Sequence, residues 1–217
     1  MKNNFVNFVL SMFFPSRCPY CKKIIHHGMT ECEDCFKELY GIPKKTVTHA
    51  GIPCMAPFAY QAKVRDSLID FKFNGNSFNA GSYAKAICHA IEYCNITDKF
   101  DIITFVPISK KRKNERGFDQ SELTAEYVGE LLGKKVKTLL KKTRQNKNQH
   151  DLNLHERTQN VKGVYTALNT ECIEHQNILL IDDIATTGNT LSECCRILKE
   201  NGAGHVICMT IAISGAV

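Results

Sequence analysis

Three stretches of this chain are apolar with no polar alternation: 101–106 (DIITFV), 177–181 (NILLI) and 205–213 (HVICMTIAI). A strand with one face in water alternates polar and apolar side chains, so an unbroken apolar strand must be covered on both faces. None of the three approaches the ~20 residues that span a bilayer as a helix. Each therefore reads as a buried strand. Between them lie segments with helical character at 64–73 (a turn or two), 80–93, 119–132 and 190–200, the last followed by Gly202 as a stop. Shorter strands are expected at 55–60 and 163–167. Buried strands alternating with helices imply an α/β fold: a mostly parallel sheet with helices on its faces.

Composition agrees with a globular chain. Of 217 residues, 43% are hydrophobic and 23% charged, which excludes a disordered chain, a collagen and a polytopic membrane protein. The net charge of +6 is concentrated in one place, because residues 110–147 hold 12 of the 28 Lys and Arg but only 5 of the 22 acids. Its densest part carries Lys134, Lys135, Lys137, Lys141, Lys142, Arg144 and Lys147 with no acid among them. A polyanion suits such a segment: a nucleic acid, a phosphorylated ligand or an anionic membrane. A solvated helix end and loop is the plainer alternative.

Residues 1–14 are apolar, end at Pro15, and are too short to cross a membrane. Two readings stand, a helix docked on the domain and a shallow interfacial helix; the first is preferred. Only Lys2 precedes the run and no small-residue cleavage site follows it, so the expected location is cytoplasmic. Thiols stay reduced there, and the eleven cysteines read as metal ligands or buried fillers rather than disulfides.

Spacing separates the two uses. Cys18-Pro-Tyr-Cys21 and Cys32-Glu-Asp-Cys35 are two Cys-x-x-Cys knuckles, which place four thiolates around one tetrahedral ion. The segment between them is too small and polar to fold by core burial, so a structural Zn²⁺ is expected to supply its folding energy. His26 and His27 read as loop residues, since four Cys complete the shell. Cys54, Cys88, Cys94, Cys172, Cys194, Cys195 and Cys208 lack ligand spacing and read as buried fillers. The expected division is 1–45, the apolar segment and zinc module, and 46–217, the α/β domain.

The sharpest site follows NILLI. Two acids, Asp182 and Asp183, end the strand, and Ala185, Thr186, Thr187, Gly188, Asn189 and Thr190 lead into a helix. Backbone N–H groups and hydroxyls at a helix N-terminus favour a phosphate, and glycine lets the backbone approach it closely. Paired carboxylates beside that cradle suit a ribose diol and its Mg²⁺. Both are expected to face solvent at the strand end. The segment from Ser109 to Gly117, after the strand at 101–106, offers the cations Lys110, Lys111, Arg112 and Arg116 where open α/β sheets place ligands.

IDDIATTGNT resembles the phosphoribosyl-pyrophosphate (PRPP) signature of type I phosphoribosyltransferases. Other landmarks resemble one branch, the ComF family of competence proteins: Phe14-Pro15 before the four cysteines, Val106-Pro-Ile-Ser109, Arg112, Arg116-Gly-Phe-Asp-Gln-Ser121, and Gln149, Leu152, Glu156-Arg157 and Asn160. That resemblance implies a type I phosphoribosyltransferase-like fold with a small N-terminal zinc module. It makes 109–117 the pyrophosphate loop and 142–160 a mobile arm closing over PRPP. Asp182 and Asp183 would hold the diol and Mg²⁺ if displacement at the anomeric carbon occurs, and no motif names the acceptor. The role implied is handling of single-stranded DNA entering the cytoplasm during natural transformation. A DNA translocase and the cytoplasmic face of the inner membrane would lie nearby. The zinc module and the basic 110–147 stretch would be the DNA surface. A salvage phosphoribosyltransferase for purines or pyrimidines and a non-catalytic PRPP-binding regulator remain as alternatives.

Overall fold

The structure is a computed structural model and describes residues 16–26, 28–48, 51–143 and 163–215. The described part is built on a seven-stranded sheet in the order β1-β2-β9-β8-β4-β5, with β3 also paired to β9. The strands are β1 (Lys44–Val47), β2 (Pro53–Ala56), β3 (Phe58–Ala59), β4 (Ile102–Phe105), β5 (Lys135–Val136), β8 (Ile178–Ala185) and β9 (Val206–Ile213). All pairings are parallel except β1 with β2. A separate antiparallel hairpin joins β6 (Leu140–Lys142) to β7 (Tyr165–Ala167). The helices are α1 (Glu33–Leu39), α2 (Ala62–Phe73), α3 (Asn79–Tyr93), α4 (Lys110–Arg116), α5 (Gln120–Leu132) and α6 (Asn189–Glu200).

The uninterrupted apolar runs become the three central strands because both their faces are covered. Leu179 and Ile181 of β8 pack with Leu68 and Phe71 of α2, Tyr83 and Ile87 of α3, and Val128 of α5. Ile178 and Leu180, pointing the other way, pack with Leu191, Cys194 and Leu198 of α6 and with Leu140 and Tyr165 of the hairpin. Each fully buried Leu, Ile or Phe contributes roughly 1.5–3 kcal/mol of transfer free energy. In α2, Val64, Leu68 and Phe71 lie on one buried stripe, which extends the expected turn or two into three full turns. Among the expected filler cysteines, Cys54, Cys88, Cys194, Cys195 and Cys208 are buried, while Cys94 and Cys172 are partly so.

The four-cysteine segment shares the first of these cores. Cys18, Tyr20, Ile25 and Cys35 belong to the same buried cluster as α2 and α3. The Tyr20 ring meets Phe58 at 5.7 Å and Tyr83 at 6.2 Å, both edge-on.

The sheet order locates the ligand end. From β4 the chain continues through α4 and α5 to β5 on one side; from β8 it continues through α6 to β9 on the other. β4 and β8 are neighbours, so the crevice beyond their carboxyl ends is a topological switch point, where open α/β sheets bind ligands.

Candidate functional site

β8 carries the two acids to that crevice. It runs past the apolar NILLI stretch as far as Ala185, because Asp182, Ile184 and Ala185 still pair with Thr210, Ala212 and Ile213 of β9. Successive strand residues face opposite ways, and the two carboxylates diverge. Asp183 Oδ2 meets Lys72 Nζ of α2 at 2.7 Å, both side chains being largely buried. Asp182 Oδ1 accepts from Ser121 Oγ of α5 at 3.0 Å and from the Asp183 amide at 2.8 Å. The expectation that both face solvent holds only in part: both side chains are partly exposed, one held by an ion pair and the other against the start of α5. Burial, followed by the neighbouring Asp183 charge, pushes the Asp182 carboxyl up to about 7; Lys72 and Ser121 oppose the shift. Neither Lys72 nor Ser121 was among the sequence candidates, although Ser121 closes the RGFDQS motif.

Residues 186–188 form the turn from β8 into α6. Gly188 has φ +73° and caps the helix. A Cβ there would lie 3.3 Å from Thr48 Cα, so both the left-handed backbone and the close edge strand require glycine. Ala185 is buried, Thr186 exposed, and Thr187 and Thr190 partly exposed. Ala185 is anchored by the Ser214 amide, which donates to its carbonyl at 2.8 Å. The first turn of α6 has N–H groups without intrahelical acceptors, and they belong to this loop.

The second cation group differs from expectation. Residues 109–117 do not form a loop but the short helix α4. Ser109 Oγ accepts from Arg112 N at 3.3 Å as its N-cap, and Gly117 ends it at φ +82°. Asp119 fixes the next connection, its carboxylate accepting from the amides of Ile108, Ser121 and Glu122. Asp119 is the N-cap of α5, and Glu122 of its first turn pairs with Lys113. Lys110, Lys111, Arg112 and Lys113 are exposed. Arg116 is partly buried, donates to Gln120 Oε1 at 2.8 Å and lies 5.2 Å from the centre of the Phe73 ring. Burial lowers its pKa while the Asp183 charge raises it, which places the guanidinium in the field of the acids.

The remaining basic run is spread over several elements. Lys134 donates to the Phe100 carbonyl at 3.1 Å and stacks on that ring, while Lys135 is exposed and pairs with Ile102 at the amino end of β4. These two lie away from the crevice. Lys137 is partly exposed and Lys141 exposed. Lys142 turns inward over the Tyr165 ring at 5.2 Å. Burial and then the Arg112 charge lower its pKa, with Asp182 opposing, so Lys142 belongs with the crevice cations. Arg144 and Lys147, the 144–160 part of the expected arm, residues 1–15 and His27 lie outside the described residues.

The four cysteines converge as their spacing implies. Their Sγ atoms all lie within 4.8 Å of one another, with Cys21 and Cys32 at 3.5 Å. A tetrahedral Zn²⁺ with Zn–S of about 2.3 Å separates its sulfurs by roughly 3.8 Å, so the set fits one ion. The first knuckle is held by the Cys18 amide donating to Lys23 O and the Lys22 amide donating to Cys18 O. Cys32 caps α1 and Cys35 sits in its first turn. Burial and the adjacent thiols push the Cys35 thiol well up, so the crowded thiolates call for a cation.

Comparison with known proteins matches the family model described as phosphoribosyl transferase domain to residues 96–216. DNA utilization protein YhgH of Escherichia coli O157:H7 is 26% identical over 215 residues, covering 89% of this chain and 90% of the relative. Competence protein ComFC of Bacillus subtilis is 29% identical over 154 residues, which cover 67% of this chain and 57% of ComFC. A purine phosphoribosyltransferase structure from Pyrococcus horikoshii aligns with a TM-score of 0.40 at 17% identity, covering 63% of this chain and 79% of that one. Among the described residues no helix is long and apolar enough to cross a membrane.

Proposed function

The chain belongs to the phosphoribosyl transferase domain family, and from that premise we propose that it takes part in the uptake and use of DNA, handling single strands on a PRPP-binding scaffold. One observation carries the reading: the match to a DNA utilization protein runs over 89% of this chain and 90% of that relative, not over the transferase domain alone. The shorter match to a competence protein points the same way.

On this reading the crevice at β4 and β8 holds PRPP. The loop from Ala185 to Thr190 takes the 5′-phosphate on backbone N–H groups and hydroxyls. Lys110, Lys111, Arg112 and Arg116 neutralise the pyrophosphate, with Lys142 from the hairpin beside them and Ser109 at the cap of their helix. Asp182 and Asp183 receive the ribose diol and Mg²⁺. The residues fit such a group: Asp182 is a partly buried carboxyl pushed up by desolvation and by its charged neighbour, and a divalent cation would add counter-charge to that of the Lys72 ammonium, which pairs directly with Asp183. When bound, Mg²⁺ would lend Lewis acidity to a departing pyrophosphate.

The four cysteines hold a structural Zn²⁺ that seats residues 16–40 on the common core. On this reading the described residues 16–26 and 28–45 extend the transferase domain, whose core Cys18, Tyr20, Ile25 and Cys35 share. Cytoplasmic single-stranded DNA is the macromolecular partner. Deleting the gene in a naturally transformable host should abolish chromosomal transformation while DNA still binds the cell surface. Transformation at the parental frequency in the deletion strain overturns the proposal.

A further inference from the structure

We propose that the exposed face at the end of α2 is a base-stacking platform for single-stranded nucleic acid, with Phe73 and Phe78 as its rings. The inference rests on the DNA-handling reading and assigns it a surface.

Phe73 is 69% exposed and Phe78 is 93% exposed. Single apolar residues on a surface need no explanation. These two flank one four-residue turn, Asn74-Gly75-Asn76-Ser77, and the turn is held rigid. Asp70 accepts from Asn74 Nδ2 at 2.8 Å, from Asn76 Nδ2 at 2.6 Å and from Lys22 Nζ at 2.6 Å. The last bond ties the turn to the first cysteine knuckle. Both rings are therefore presented from a fixed backbone instead of being left on a loose loop. Ile69, four residues before Phe73 on the same helix, is also exposed.

The surroundings select the occupant. Arg116 already lies over Phe73 at 5.2 Å, and its helix α4 carries Lys110, Lys111 and Arg112 to solvent. Lys72, next to Phe73, pairs with Asp183 in the crevice. An apolar protein partner would seek a wide apolar patch. An exposed ring beneath a guanidinium, with the exposed ammonium groups of α4 on the same helix as that guanidinium and a second exposed ring across the turn, suits a ligand with alternating π-faces and phosphates, which is a single strand. Bases stacked on Phe73 and Phe78 would place the strand between the cysteine knuckle and the phosphoribosyl crevice. The basic run at 134–147 would then serve as a diffuse electrostatic attraction, not as the reading surface.

The chain contains no Trp, so Phe73→Trp and Phe78→Trp each create a single reporter. Titration with oligo-dT should quench either reporter. Phe73→Ala with Phe78→Ala should weaken binding by roughly tenfold or more. The slope of log K against log[salt] should stay unchanged, because no cation is lost. The unfolding temperature should hold, since both rings are exposed. If the parent binds the oligonucleotide while the reporters stay unquenched and the alanine variant binds equally well, the platform is refuted and DNA handling stands. A parent that binds no oligonucleotide even at low salt removes the DNA reading itself. A concentration-dependent dimer that the alanine variant abolishes, with DNA binding unaltered, makes a second copy the occupant and overturns the proposal.

Discussion

Replacing Asp182 by Asn should stabilise the fold at pH 8 and do so progressively less as the pH falls. In the folded chain the Asp182 carboxyl is pushed up to about 7, by burial first and by the Asp183 charge second. In the unfolded chain it returns to its ordinary value near 3.9. Between those values the folded state binds the extra proton, so rising pH costs stability through this window; below pH 4 the group contributes nothing. The full cost, on the order of a few kcal/mol, is reached above pH 7. The amide keeps an oxygen for the Ser121 hydroxyl and the Asp183 N–H, at distances of 3.0 and 2.8 Å in the parent, and removes the charge. The variant should therefore melt on the order of 10 °C higher at pH 8, with less than half that gain at pH 5. Differential scanning calorimetry of both proteins reads the difference directly. Any loss of metal thiolates to acid affects the two alike. Equal melting temperatures at pH 8, or an equal gain at pH 5 and pH 8, would refute the burial argument.

Further expectations follow from other elements. Cys32→Ser removes one of four converging sulfurs; metal analysis should find Zn²⁺ lost, and the buried contacts of Tyr20 should loosen, seen as earlier proteolysis near residue 40. Gly188→Ala forces a side chain into φ +73° and against Thr48, at a cost of roughly 1–2 kcal/mol, and it should raise the dissociation constant for PRPP in calorimetry. Neutralising Lys134, Lys135, Lys137 and Lys141 to Gln should weaken single-stranded DNA binding to all sequences alike and flatten a salt slope of about −0.7 per phosphate contacted. That behaviour is the reverse of the unchanged slope expected from the Phe73 and Phe78 variants, and fluorescence anisotropy over a salt series separates them.

The parts of the fold that were legible are those set by local chemistry. DIITFV, NILLI and HVICMTIAI are central strands because no charged residue interrupts their apolar runs, and Asp119 opens α5 because its carboxylate reaches two amides of the first turn. What escaped notice depends on distant partners. KKRKNER has no apolar stripe to mark the helix that the Ser109 cap and the Gly117 stop define, and the family resemblance implied a loop there. The β6–β7 hairpin pairs Lys142 with Tyr165 across an intervening segment, and no local pattern announces it. Lys72 offered no signal at all. It closes on Asp183 only because α2 packs over the carboxyl end of β8. The two acids lie side by side on β8. Their environments were not legible, because alternation along β8 sends one toward Lys72 and the other toward Ser121.

The most direct test of the scaffold reading is calorimetry of PRPP with Mg²⁺ against the parent and against Asp182→Ala with Asp183→Ala. The account predicts saturable binding by the parent that requires Mg²⁺. It predicts no measurable binding by the double variant, with circular dichroism and zinc content unchanged. Equal affinity in the two proteins, or no binding of PRPP by the parent, would contradict it.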